Sequence, residues 1–162
     1  MKNKNLSFMT QAAMIAAIYV VLTYIFAPFS FGEVQVRISE ALTILPIFTP
    51  AAIPGLFAGC LIGNILGGAI LPDIVFGSIA TLIGAFFTWK LREQKPVVAT
   101  FPPIISNIII VPFVLRYGYG VTLPIPFMML TVGIGEVMSC TVLGLVVYGA
   151  LKKYKSTLFR TA

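Results

Sequence analysis

The chain has 162 residues, of which 59% are hydrophobic and only 10% charged; its formal net charge is +6 and it contains no histidine. A soluble domain of ordinary composition carries about 25% charged residues, so this composition excludes a water-soluble globular protein and fits one compact integral membrane bundle over residues 1–162. The absence of histidine weighs against a metalloenzyme or a histidine proton relay, and no Walker-type glycine loop is present to hydrolyse ATP, so no enzyme activity, metal or cofactor is expected.

The basic charge is clustered. Nine of the eleven Lys and Arg residues fall in three short groups: Lys2 and Lys4; Lys90, Arg92 and Lys95; and Lys152, Lys153, Lys155 and Arg160. Each group abuts the end of an apolar segment, as in the positive-inside bias of membrane proteins, and not as in a nucleic-acid-binding face. Both termini are therefore expected in the cytoplasm.

The first apolar stretch, 8–29, is long for the core of a signal peptide and is followed by no small-x-small cleavage site, so it reads as a retained helix. It carries two overlapping small-xxx-small pairs, Ala12 with Ala16 and Ala13 with Ala17, suited either to internal packing or to a second membrane subunit. Next comes VQVRISEAL, residues 34–42, which places Gln35, Arg37 and Glu40 between apolar stretches.

Residues 38–71 are too long for one ordinary crossing and are interrupted by Pro46, Pro50 and Pro54. An even number of crossings must separate the basic N-terminus from the 90–95 group, so this region is expected to cross twice, as a short helix 38–48 and a second helix 51–71. Eleven residues rise only about 16 Å as an α-helix, so the short one must be buried in protein or line a cavity. The helix after it carries Gly55, Gly59, Gly63 and Gly67, a stripe that allows close helix packing.

Three further spans follow at 74–91, 97–116 and 126–151, completing a bundle of six transmembrane helices. Asp73 sits at the start of the fourth, positioned either to cap it after Pro72 or to bind a ligand. Asn107 falls near the middle of the fifth and Glu136 roughly 15 Å into the sixth, where Gly133 and Gly135 are expected to leave room beside the carboxylate. Cys60 and Cys140 lie within apolar runs and read as free packing thiols.

Ionisable and amide groups inside a bundle are costly, and an intramembrane set of them marks a functional site. Gln35, Arg37, Glu40, Asn64, Asp73, Asn107 and Glu136 all fall in the outer half or at the midplane, which predicts a ligand site opening outward. Arg37 is expected to orient Glu40 from one turn away. Carboxylates, amides and nearby aromatics suit a small planar molecule with N–H donors, such as a guanine-like edge. A self-contained channel or proton-coupled carrier is the alternative, but it needs a polar step in the inner half that the sequence does not provide. No inverted repeat of the kind common in self-sufficient carriers is visible either.

The strings VQVRISEAL, AIPGLFAGCLIGNILGG, DIVFGSIATLIGAF and GIGEVMSC, in this order and spacing, resemble the QueT family of substrate-binding (S) components of energy-coupling factor (ECF) transporters. The resemblance covers essentially the whole chain. It implies the six-helix S-component fold in the cell membrane, and an outer pocket for a 7-deazaguanine precursor of queuosine. It also implies association with a transmembrane T component and two ATPases, and a helix-one docking motif matched here by Ala12, Ala13, Ala16 and Ala17.

Overall fold

The computed structural model describes residues 4–26 and 36–159, and every regular element among them is helical. In chain order these are α1 (Lys4–Ile25), α2 (Ile38–Ile47), α3 (Ala52–Leu66), α4 (Leu71–Lys90), α5 (Pro96–Gly118), α6 (Ile125–Lys152) and the short α7 (Lys155–Leu158). Of these, α1, α4, α5 and α6 are long and apolar enough to cross a membrane, while α2 and α3 are apolar but shorter. All the expected apolar segments reappear, with shifted ends. The first helix spans 4–25 instead of 8–29, the third stops at 66 instead of 71, and the fourth begins at 71 instead of 74.

The early end of α3 has a local cause. Gly68 sits at φ +76°, and the N–H groups of Gly68 and Ala69 bond back to the carbonyls of Ile65 (3.2 Å) and Asn64 (3.0 Å). This pairing closes a helix through a left-handed residue, which glycine adopts without steric cost. Pro72 then falls in the first turn of α4, where its missing N–H is not needed.

Ten-residue α2 is a 3-10 helix in which nine residues, Ser39 to Ile47, are buried. Its rise of about 2 Å per residue stretches it to roughly 20 Å, longer than an α-helix of the same residues but well short of a hydrocarbon core of about 30 Å. It is packed by α1, α3, α4, α5 and α6, so its backbone ends stay inside protein, as a non-spanning helix at membrane depth requires.

Successive segments run in opposite directions between two ends of the bundle. At one end Thr49 donates to Gln11 (2.9 Å), the Gln11 amide reaches the Leu158 carbonyl (3.4 Å), and Trp89, Arg92 and Lys155 line one cavity with residues 46–50. At the other end Arg37, Asp73 and Tyr119 converge. The 90–95 and 152–155 basic groups of the sequence share the first end with the start of α1. Large apolar side chains point outward along the bundle, among them Val21, Ile62, Phe76, Phe87, Ile109 and Leu130, a belt suited to lipid.

Glycines set the closest contacts. A Cβ on Gly55 would lie 2.7 Å from the Ala12 carbonyl oxygen, and one on Gly59 would lie 2.7 Å from the Tyr19 Cβ and 3.2 Å from the Ala16 Cα. The α3 stripe is thus the seat of α1, the packing role expected for it. Ala12 and Ala16 are partly covered on this seam, while Ala13 and Ala17 face outward and are exposed. Gly84 of α4 receives Pro103 of α5 in the same way, with a Cβ position 2.6 Å from the Pro103 Cα. Pro103 cannot bond the carbonyl four residues back, and Thr88 of α4 donates to that Ala99 oxygen at 2.9 Å.

Candidate functional site

Six of the seven expected site residues, Arg37, Glu40, Asn64, Asp73, Asn107 and Glu136, are buried and gathered between α2, α3, α4, α5 and α6. Gln35 lies outside the described residues. Burial on this scale in an apolar bundle requires each polar group to be matched, and the matching divides into two linked layers.

The layer at the end away from the basic groups centres on Asp73. Its Oδ2 accepts from Arg37 (3.4 Å) and from the Tyr119 hydroxyl (3.0 Å), and the Arg37 guanidinium also donates to the Asn64 side chain (3.5 Å). The Asn64 amide in turn donates to the Asp73 main-chain oxygen (3.4 Å). Two expectations are corrected here. Asp73 makes no side-chain cap of α4, whose N-cap position is Ile70; it is a bridge between helix ends. Arg37 directs its described side-chain hydrogen bonds at Asn64 and Asp73 and not at Glu40. The reason is geometric: Glu40 lies below Arg37 in a 3-10 turn and faces α1, while α3 and α4 bring their polar ends up to the guanidinium.

The deeper layer is a carboxylate pair. One ligating atom from each of Glu40, Glu136 and Cys140 lies within 4.8 Å of the others. The Tyr19 hydroxyl donates to Glu40 Oε1 at 2.5 Å, the Cys140 thiol donates to Glu136 Oε2 at 3.2 Å, and the Asn107 side chain also bonds Glu136. Thr43 donates to the Cys140 sulfur at 3.5 Å. In this layer Glu40 Oε2 and Ser139 Oγ are among the buried atoms with no hydrogen-bond partner among the described residues, as is Asp73 Oδ1 in the layer above. Glu40, three residues after Arg37 in the sequence, therefore stands at the level of Glu136, with Asp73 in the layer above.

Local backbone irregularity supports this arrangement. Residues Val137–Leu143 of α6 form a wide π-helical stretch immediately after Glu136 and enclosing Cys140, the kind of distortion that re-aims side chains at functional sites. A second such stretch, Val114–Gly118, follows Pro112 in α5 and leads into the turn that delivers Tyr119. Gly133 does not make room for the carboxylate, as expected from the sequence; it admits Ile108 of α5, whose Cδ1 would lie 3.0 Å from an added Cβ. Cys60 and Cys140 are free and buried, as read from the sequence.

Tyr19, Tyr119 and Cys140 are the site members that sequence reasoning missed. The signal for Tyr19 was available: Ile15, Tyr19 and Thr23 recur at four-residue steps on the face that meets the glycine stripe. Cys140 is one turn after Glu136, also a readable spacing. Tyr119 had no such signal, because a turn residue is placed only by tertiary contact.

A helical membrane protein with several crossings, burying a charged and amide-rich cluster toward one end, belongs to the class of membrane proteins that handle a polar solute. The QueT transporter family model matches residues 9–153. With most of its length matched, the chain belongs to the QueT family, a family of transporters and not of enzymes. It is also 33% identical over 84 residues to the Queuosine precursor transporter QueT of Lactococcus lactis subsp. cremoris (strain MG1363), a stretch covering 51% of this chain and 48% of that relative. The chain thus matches about half the length of that curated relative. No solved structure matches it.

Proposed function

We propose that this chain is the substrate-capturing S component of an ATP-driven ECF importer in the cell membrane. It takes up a queuosine precursor of the 7-deazaguanine type from outside and passes it to a T component and two ATPases. The observation that carries this reading is the convergence of Arg37, Glu40, Asn64, Asp73, Asn107 and Glu136 away from the basic helix ends. With the basic groups in the cytoplasm by the positive-inside bias, that site belongs to the outer half of a six-helix bundle. Family membership supplies the transport role, and the name of the Lactococcus relative supplies the substrate class.

The residues divide by role. Glu40, Glu136 and Asn107 contact ligand, offering carboxylate and amide acceptors to ring N–H groups. Arg37, Asn64 and Asp73 form the outer wall, and Gln35, two residues before Arg37 in the sequence, is proposed as a further substrate contact. Among the described residues, the buried polar groups toward the basic end are hydroxyls such as Thr88, which donates to Ala99, and Thr100, which pairs with Thr141, and no buried charged side chain stands there as a step for a self-contained carrier. For the T component, Ala13 and Ala17 are the exposed pair of α1, whereas Ala12 and Ala16 are engaged against α3.

The test of substrate is a thermal-shift titration of the purified chain with 7-deazaguanine bases. Stabilisation is expected, and Glu136→Gln should weaken affinity at least tenfold, about 1.4 kcal/mol; no shift with any such base would refute the substrate assignment. The test of partners is co-purification of the T component and ATPases. Ala13→Trp or Ala17→Trp should abolish it while ligand binding persists, and undiminished recovery of partners would remove the docking role from this face.

A further inference from the structure

The outward face of the seam between α4 and α5 carries a feature that the buried polar site does not use. Two cavities of about 490 and 470 Å³ follow one another along this seam and share Ile109 and Ile110 in their walls. The furrow they form runs from Lys90 back to Pro72, about 27 Å of helix against a hydrocarbon core of about 30 Å. Its half toward the basic end reaches from Pro102 to Ile110, about 12 Å, which is close to the depth of one leaflet. Ile83, Phe87, Ile105 and Ile109 wall this half and are exposed on the outside of the bundle. The hydroxyl that borders it, that of Ser106, donates to the Pro102 carbonyl at 2.9 Å.

The charged side chain that lines this half is Lys90. No carboxylate lies within 4.0 Å of it among the described residues, where the ion pairs are Arg37 with Asp73 and Arg92 with Glu93. Glu93 also lines a different cavity, together with Arg92 and Trp89. The Lys90 ammonium sits 5.5 Å from the centre of the Phe86 ring and 5.7 Å from that of Trp89.

We propose that this half of the furrow binds one anionic phospholipid, with an acyl chain in the groove and the headgroup phosphate on Lys90. An acyl chain needs an apolar slot about one leaflet deep and brings no polar group that the walls would have to satisfy. A lysine stem lies along apolar surface and lifts its ammonium to the interface, where basic pockets between transmembrane helices take up anionic headgroups. A choline headgroup would instead bring a further cation beside Lys90, Arg92 and Lys95. A partner helix suits the groove less well, because membrane helices dock through small residues. Those of α4 face inward: Gly77, Ser78, Ala80, Gly84 and Ala85 are buried, and Gly84 is filled by Pro103.

The experiment is native mass spectrometry of the full chain released from nanodiscs that hold equal amounts of phosphatidylglycerol and phosphatidylcholine with the same acyl chains. One phosphatidylglycerol should stay bound, favoured roughly fivefold over phosphatidylcholine, the weight of one basic side chain at an anionic surface. Lys90→Gln should bring that ratio near unity, while Lys95→Gln, in the same basic group but outside the groove, should leave it unchanged. Ile105→Trp, which fills the groove, should lower retention of both lipids, with circular dichroism confirming that each variant is folded. Equal retention of the two lipids by the wild-type chain overturns the proposal without recourse to any variant. Equal effects of Lys90→Gln and Lys95→Gln would show diffuse surface attraction and overturn it too. Displacement of the lipid by glycerophosphoglycerol, the headgroup without chains, would remove the acyl chain from the site. A dimer, or a T component, lost on Ile105→Trp would give the groove to protein and likewise overturn the proposal.

Discussion

The contact between Gly59 and Tyr19 couples helix packing to the site, and Gly59→Ala tests that coupling. The added Cβ would sit 2.7 Å from the Tyr19 Cβ, 3.0 Å from its Cγ and 3.2 Å from the Ala16 Cα. Carbon atoms pack at about 3.5–4.0 Å, so α1 must withdraw by roughly 0.8 Å or more at this level. The obstacle is the root of a buried aromatic side chain and a helix backbone, which cannot swing aside. Overpacking of this kind costs about 1–3 kcal/mol. The same withdrawal lengthens the 2.5 Å bond from Tyr19 to Glu40 beyond good geometry, and a hydrogen bond to a charged group contributes about 1.5–3 kcal/mol. Gly63→Ala is the internal control, since its Cβ would meet Thr23 at 3.3 Å and needs an adjustment of only a few tenths of an ångström. Thermal unfolding in detergent should place Gly59→Ala several degrees below wild type with weakened ligand affinity, and Gly63→Ala close to wild type in both. Equal melting temperatures and affinities for the two variants would refute the reasoning.

Other outcomes follow from the outer layer. Arg37→Ala leaves the Asp73 carboxylate buried without its cation, and breaking such a pair costs about 3–5 kcal/mol. The Arg37→Ala, Asp73→Ala double variant should recover part of that loss, and strict additivity in unfolding free energy would show that the pair is not coupled. Burial, together with the Asp73 carboxylate, pushes the Tyr119 phenol above its ordinary value. The stabilisation from this group is therefore fully present below about pH 10, the unfolded value, and is lost as pH rises through the higher folded one. An ultraviolet titration of wild type minus Tyr119→Phe should show a midpoint above 10; a midpoint at or below it would break the link to Asp73.

How far the site was legible depends on what each residue needed. Arg37, Glu40, Asn64, Asp73, Asn107 and Glu136 stood out because a charge or amide in an apolar helix is rare enough to locate from the chain alone. Their pairing did not. Arg37 and Glu40 are three residues apart, and sequence spacing joined them; the approach of α3 and α4 gave Arg37 different partners in Asn64 and Asp73. Tyr19 passed for an ordinary core residue because its hydroxyl acquires meaning only when α2 lies against α1. The α1 alanines show the same limit: the repeat was visible, but which pair faces α3 depends on the rotation of the helix.

By itself, the sequence determined the membrane class, the positions of the apolar segments, the clustering of basic charge and the identities of the buried polar groups. Those properties are carried by composition and by local periodicity, and the price of burying charge in an apolar medium makes them hard to disguise. Tertiary structure decided that α2 is a 3-10 helix enclosed by five others, that Asp73 bridges instead of capping, and that Glu40 meets Glu136 and Cys140 at one depth. These features depend on distances between segments far apart in the chain, set by close contacts such as Gly59 on Tyr19 and Gly84 on Pro103, and no local pattern encodes such a distance.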